Sequence, residues 1–175
     1  AGKNLTFTVI LKYGHGTLPS VRAVDQFTIS EITALTVVEL LAANGMEAKI
    51  KWPNDIYAGD RKICGILIEN ILDGQMIRES IVGIGLNVNE QDWPEGLPNP
   101  VSMSQLSGER YNLELELEAL HKEICRRYAG GAERNLGAGG SGAENLIAAN
   151  LGTYDNVQCW ATIQINGYSI SDGMY

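Results

Sequence analysis

The stretch Lys51 to Glu69, KWPNDIYAGDRKICGILIE, sets a polar loop between two apolar runs. Ala48 to Trp52 reads as a short strand with Lys49 and Lys51 on one face and Ile50 and Trp52 on the other. Pro53 stops it, because proline has no N–H to give to a ladder. Asn54 and Asp55 favour a turn by bonding back to nearby backbone, and Gly59-Asp60 is a second turn signal. From Ile63 the chain becomes ICGILIEN, an apolar run interrupted by Gly65, where the missing side chain lets a ligand or another backbone come close. The expected product is strand, loop, strand, with Lys51, Asn54, Asp55, Arg61 and Lys62 converging on one mouth. Polar loops held between buried elements are where sites are commonly built. Taken singly, the same residues read more plainly: Arg61-Lys62 as a solvated turn, Asn54-Asp55 as its cap.

Working outward, 175 residues and 19.0 kDa make one domain, or one with a small appendage, and 45% hydrophobic residues supply a core. A formal charge of -8 argues against a general nucleic-acid or anionic-membrane partner, since neutralising phosphate needs a basic face. A local basic pocket for one nucleotide remains compatible with it. Cys64, Cys125 and Cys159 are far apart and form no CxxC pair, so neither a zinc site nor a disulfide framework is expected. A reducing cytoplasm fits that usage. No run approaches the ~20 apolar residues of a membrane span, and Ala1 to Asn4 do not lead into a signal-peptide pattern.

Leu5, Phe7, Val9 and Leu11 alternate with Thr6, Thr8 and Ile10, the period of a strand with one apolar face. Tyr13 to Gln26 reads as a loop, in which His15 is expected to be exposed. Ser30 is the expected N-cap of a structural helix over 30–43, closed by Asn44-Gly45. Leu72 to Gln75 is a hairpin turn. Ser80 to Val88, SIVGIGLNV, is a strand whose Gly83 and Gly85 leave one face bare, and Asn87 adds an amide with two donors and an acceptor. By itself this also describes a glycine-bearing core strand with a polar end. The prolines at 94, 98 and 100 make a loop, and Asn112 caps a helix over 112–128 with Leu113, Leu117, Leu120, Ile124 and Tyr128 on one stripe. Glu118-Lys122 and Glu123-Arg127 are i,i+4 pairs on its solvated face, as is His121. Residues 137–142 have flexible-linker composition, and 157–165 alternate as one more strand.

Read together, KWPND, then RK, then GILIE, followed by Gly83 to Asn89 as GIGLNVN, resemble the biotin protein ligase family, whose catalytic domain carries these strings in this order. The resemblance covers residues 1–128, while 129–175 form an unassigned tail with a Gly/Ser linker, read as a remnant C-terminal subdomain. It implies an α+β fold of the class II synthetase-like biotin/lipoate ligase type: a mixed β-sheet of about five strands with helices packed on one face. The strands expected are 5–11, 48–52, 63–70, 76–89 and 157–165.

The implied reaction has two steps. Biotin and ATP, with Mg2+, give biotinyl-5'-AMP and pyrophosphate, and the adenylate then acylates a lysine of a biotin carboxyl carrier protein. Two anions, the biotin carboxylate and the α-phosphate, must meet, and a lysine between them offsets their repulsion. Lys62 matches the family's catalytic lysine. Lys51 matches a nucleotide-side charge, Asn54 and Asp55 lie beside the adenylate, and Trp52 and Arg61 belong to the same binding string. The resemblance further assigns Gly65 and the backbone around Ile66 and Leu67 to the biotin tail, Gly83 and Gly85 to the adenylate, and Asn87 to the nucleotide sugar and phosphate. The family's GRGxxG biotin loop, which precedes GKNLTF there, is not found in these residues, so impaired activity is expected of this chain. Two alternatives stand beside this reading. One is a lipoate- or octanoyl-transferring relative. The other is a non-catalytic ligase-like module that binds or dimerises, since a homodimer through a sheet edge fits the same fold. No helix-turn-helix is found, so DNA binding is not expected.

Overall fold

The computed structural model describes residues 2–14, 18, 20–130, 160–165 and 168–171, with side chains through Tyr128. His15, the linker at 137–142, residues 157–159 and Cys159 lie outside the described residues. Alternation builds the first strand as expected. In β1 (Leu5–Lys12), Leu5, Phe7, Val9 and Leu11 are buried, while Thr6, Thr8 and Ile10 turn to the other face. The chain then runs through β2 (Val21–Arg22), α1 (Phe27–Ala43), β3 (Lys49–Lys51), β4 (Asp55–Ala58), β5 (Arg61–Asp73), β6 (Met76–Leu86), α2 (Met103–Ser107), α3 (Leu113–Gly130), β7 (Trp160–Ile165) and β8 (Tyr168–Ser171).

These strands form one sheet in the order β3-β4-β5-β6-β1-β7-β8, with β2 on the end of β6. All ladders between them are antiparallel, and among the described residues parallel pairing is limited to the single bridges Tyr13–Leu18 and Lys62–Pro100. The α+β class therefore holds, while the expected mixed sheet is corrected to an antiparallel one. Hairpins explain this: β3 to β6 follow one another through tight turns, and a parallel pair would need a long crossover. The sheet also has eight strands among the described residues where about five were expected. β3 was expected; of the three that were not, β2 is too short for periodicity to reveal, β4 sits within the expected loop, and β8 follows β7 in the tail.

α1 and α3 cover the inner face of the sheet. Ile29, Ile32, Ala34, Val37, Leu40 and Leu41 of α1 meet the stripe Leu117, Leu120, Ile124 and Tyr128 of α3 and the inward residues of the strands. By length and composition Ala23–Ala43 could cross a membrane, yet its buried residues make it a core helix of this fold. Ser30 is not its N-cap. A 3-10 turn over Ala23–Asp25 already winds the chain into helical geometry at Gln26, so the helix starts at Phe27 without a side-chain cap. Ser30 instead donates its hydroxyl to the Pro53 carbonyl at 3.1 Å, fastening α1 to the turn that follows β3. Asn112 does cap α3, its Oδ1 accepting from the Glu114 N–H at 2.9 Å. Glu123 pairs with Arg127 as expected, and Arg126 and Glu39 of α1 extend that pair into a four-residue clamp between the helices.

Candidate functional site

The helices leave the other face of the sheet open, and at one patch of that face the sequence places glycines where side chains would stand. Register aligns Thr6, Gly85 and Gly65 across β1, β6 and β5, with Asp55 of β4 and Lys51 of β3 continuing the row. The next row is Thr8, Gly83 and Leu67. Three glycines thus form a bare floor. Its rim is Thr6 and Thr8 on one side, Leu67, 65% exposed, and Asp55 on the other.

Lys62 reaches this floor because of a β-bulge. Ile56 pairs with Cys64 and Tyr57 with Lys62, so Ile63 is an extra residue in β5. Ile63 and Cys64 are both buried, and Lys62 and Gly65, three apart, face the same way. The Lys62 ammonium then lies 2.6 Å from Asp55 Oδ1, with the two side chains 37% and 24% exposed. Gly65 is what permits the pair to sit there. A Cβ at Gly65 would stand 3.3 Å from both Cε and Nζ of Lys62 and 3.8 Å from Asp55 Oδ1. Lys51 lies one rung out, its ammonium 4.6 Å above the Tyr57 ring centroid and 3.3 Å from its hydroxyl. Burial pushes the Cys64 thiol up to about 12 although Lys62 is near, so that thiol stays protonated and is no nucleophile.

The remaining expected site residues fall into different roles. Asn54 acts on the backbone: its carbonyl accepts from the Ile66 N–H and its Nδ2 donates to the Ile66 carbonyl, each at 2.9 Å. The Ile66 side chain is buried in the core, so of this residue only the backbone faces the floor. Arg61 does not join Lys62. One residue earlier in the strand, it lines a separate depression of about 610 Å³ with Asn44 to Glu47, Ala58 to Asp60, Leu106 and Ser107. Trp52 stands 74% exposed at the β3–β4 turn, and Ile50 is 44% exposed, so the apolar face of that strand is open. Asn87 uses both amide N–H groups on carbonyls, those of Lys62 at 3.4 Å and Val101 at 3.1 Å.

Sequence reasoning missed four contributors. Thr6, Thr8 and Tyr57 sit beside the floor, and alternation had already put the two threonines opposite the core face. The fourth is the proline-rich loop: Lys62 donates its N–H to the Asn99 carbonyl at 2.8 Å and accepts from the Val101 N–H at 2.9 Å. A cation paired to a carboxylate above a bare floor can hold an anionic ligand flat against the sheet while exchanging its partner carboxylate for the ligand's charge.

Residues 1–87, which contain β1 to β6, match the model of the biotin/lipoate A/B protein ligase family. The bifunctional ligase/repressor BirA of Bacillus spizizenii is 43% identical over 83 residues, 45% of this chain and 26% of that protein. The biotin–[acetyl-CoA-carboxylase] ligase of Paracoccus denitrificans is 29% identical over 130 residues, 70% of this chain and 52% of that protein. Among solved structures, the apo biotin protein ligase of Aquifex aeolicus superposes with a TM-score of 0.57 at 25% identity, over 70% of this chain and 51% of that one. The same enzyme in complex with biotin and ATP gives 0.55 at 25% identity, over 70% and 48%. The chain thus spans between a quarter and about half of the length of the relatives named here.

Proposed function

We propose that this chain, which over residues 1–87 belongs to the biotin/lipoate A/B protein ligase family, carries the adenylate-forming site of a biotin protein ligase. The observation that carries this reading is the Lys62–Asp55 pair held at 2.6 Å over Gly65 on the glycine floor. In the first step an oxygen of the biotin carboxylate attacks the α-phosphorus of ATP, and pyrophosphate leaves with the electron pair of the broken P–O bond. Lys62 leaves Asp55 to stand between the two anions, where its ammonium offsets their repulsion and bonds the oxygens that gain charge in the transition state. ATP would enter as its Mg2+ complex, whose cation would offset charge on the departing pyrophosphate. In the second step a neutral lysine amine of a biotin carboxyl carrier domain attacks the acyl carbon of biotinyl-5'-AMP, and AMP leaves. Asp55, released from Lys62, is placed to take the proton that amine gives up.

The floor suits both ligands. Gly65, Gly83 and Gly85 let a thin, flat molecule approach the backbone, and Leu67 offers apolar contact to an aliphatic tail. Lys51, with Tyr57 beneath it, supplies charge on the nucleotide side. Among the described residues β4 pairs with β5 only as far as Gly65, and the carrier domain or a second copy of the chain would add a strand along the edge beyond it. A cytoplasmic setting fits this reading, since the reaction draws on ATP and the three cysteines form no CxxC pair. The biotin reading is preferred to a lipoate relative because the KWPND and RK strings carry the site.

Calorimetry on the 175-residue chain with a non-hydrolysable biotinyl-adenylate analogue tests this. Micromolar binding is expected, weakened at least ~100-fold in Lys62→Ala. Equal binding by the variant removes Lys62 from the site, and binding of a lipoyl-adenylate analogue in preference would move the assignment to the other acyl group.

A further inference from the structure

We propose that Ser30, on the helix layer behind the sheet, is a positioning residue for the nucleotide side of the site, acting through the turn that carries Lys51; this rests on Lys51 being the nucleotide-side charge of the proposed site. Ser30 lies in the first turn of α1, and its hydroxyl donates to the Pro53 carbonyl at 3.1 Å. Pro53 stands between Lys51 and Asp55, which face each other as the last rung of the β3–β4 ladder. A single hydroxyl therefore ties the inner helix to the turn that joins two charged members of the site.

Burial does not hold this turn in place. Trp52, Pro53 and Asn54 are exposed, and so are all three residues of β3, the end strand of the sheet. With little apolar area to return to water, the turn depends on polar anchors. Asn54 ties it sideways to β5, through both of its bonds to the Ile66 peptide groups. Ser30 ties it to the layer behind. The two flanking charges differ in how much they need that second anchor. Asp55 is also placed by the β4–β5 ladder, opposite Gly65. Lys51 is not, because among the described residues β3 has a ladder with β4 alone. Without the Ser30 hydroxyl the turn is free to tilt away from α1 about the Asn54–Ile66 bonds, and Lys51 moves with it. A small displacement of a charge from its productive position is enough to weaken what it binds.

Ser30→Ala separates positioning from stability. Alanine is the better helix former, and the exposed Pro53 carbonyl can bond water instead, so the thermal midpoint is expected to stay level or rise. Affinity of the 175-residue chain for the non-hydrolysable biotinyl-adenylate analogue, measured by calorimetry, is nonetheless expected to fall about fivefold. Lys51→Ala is expected to cost about tenfold, and Ser30→Ala with Lys51→Ala together no more than Lys51→Ala alone. Unchanged affinity in Ser30→Ala, a midpoint that falls together with the affinity, or losses that multiply in the double variant would each overturn the proposal. If Lys51→Ala binds like the parent while Lys62→Ala does not, the proposal fails and the Lys62 site stands. If Lys62→Ala binds like the parent as well, it is the site reading that fails.

Discussion

The two faces of β1, β5 and β6 differ by one residue along each strand and by everything else. Inward stand Phe7, Val9, Ile66, Val82 and Ile84, all nearly inaccessible; outward stand Thr6, Thr8, Gly65, Gly83 and Gly85. The inner face gains free energy from every methyl group it buries against α1 and α3. The outer face forgoes that gain and leaves its backbone within reach, which is what the proposed binding site uses. Stability and binding are thus separated by the pleat, and neighbouring substitutions are expected to give opposite phenotypes.

The largest effect expected from breaking this division is on the inner side. Ile84→Ala, 1% exposed, is expected to cost about 2–5 kcal/mol in a urea titration while leaving ligand affinity intact in the folded fraction. On the outer side Gly85→Ala meets only the Gly65 carbonyl at 3.9 Å, so the fold accepts it. Stability is expected to stay level or rise by up to about 1 kcal/mol. Affinity for the adenylate analogue is expected to fall about tenfold, because the new methyl stands on the floor. Should Ile84→Ala lower affinity and Gly85→Ala lower stability, the separation of the faces would be wrong.

The smallest effect concerns the helical layer alone. Burial would raise the Glu123 carboxyl, but Arg126 and Arg127, with Glu39 in the same cluster, hold it down at about 2. A depressed carboxylate stabilises the fold above its unfolded value of 4.5, and that contribution is lost as pH falls towards 2. The cluster is partly solvated, so the contribution is ~1 kcal/mol or less. Thermal melts of Glu123→Gln and the parent are expected to differ at pH 7 and to converge by pH 2, with no pH-dependent change in ligand affinity assigned to this residue.

Much of this was legible in the chain itself, for local reasons. The alternation of Leu5 to Leu11 declares its inner face, and the stripe from Leu113 to Tyr128 declares a helix, because each pattern repeats within a few residues. The strings around Lys51 and Lys62 mark the segment that the fold brings to the glycine floor. What was not legible depends on pairing. Nothing in RKICG announces that Ile63 is an extra residue opposite Ile56 and Tyr57, yet that bulge separates Lys62 from Arg61 and brings it to Gly65. Thr6 and Thr8 join the floor only once β1 is laid beside β6. Asn87 offered two donors on paper, and packing against Val101 decided where they went.

The loop that grips Lys62 does so with peptide groups. In terms of inheritance, the letters at 99 to 101 are therefore filtered for what their backbone can do. Position 99 needs a residue that tolerates a φ of +42°, which favours asparagine or glycine. Position 100 uses no N–H in this contact and admits proline. Position 101 must have an N–H and a side chain that fits the core. A profile that scores side-chain chemistry would pass over the segment, while a library randomised there and selected for stable folding would return a short, backbone-dictated alphabet.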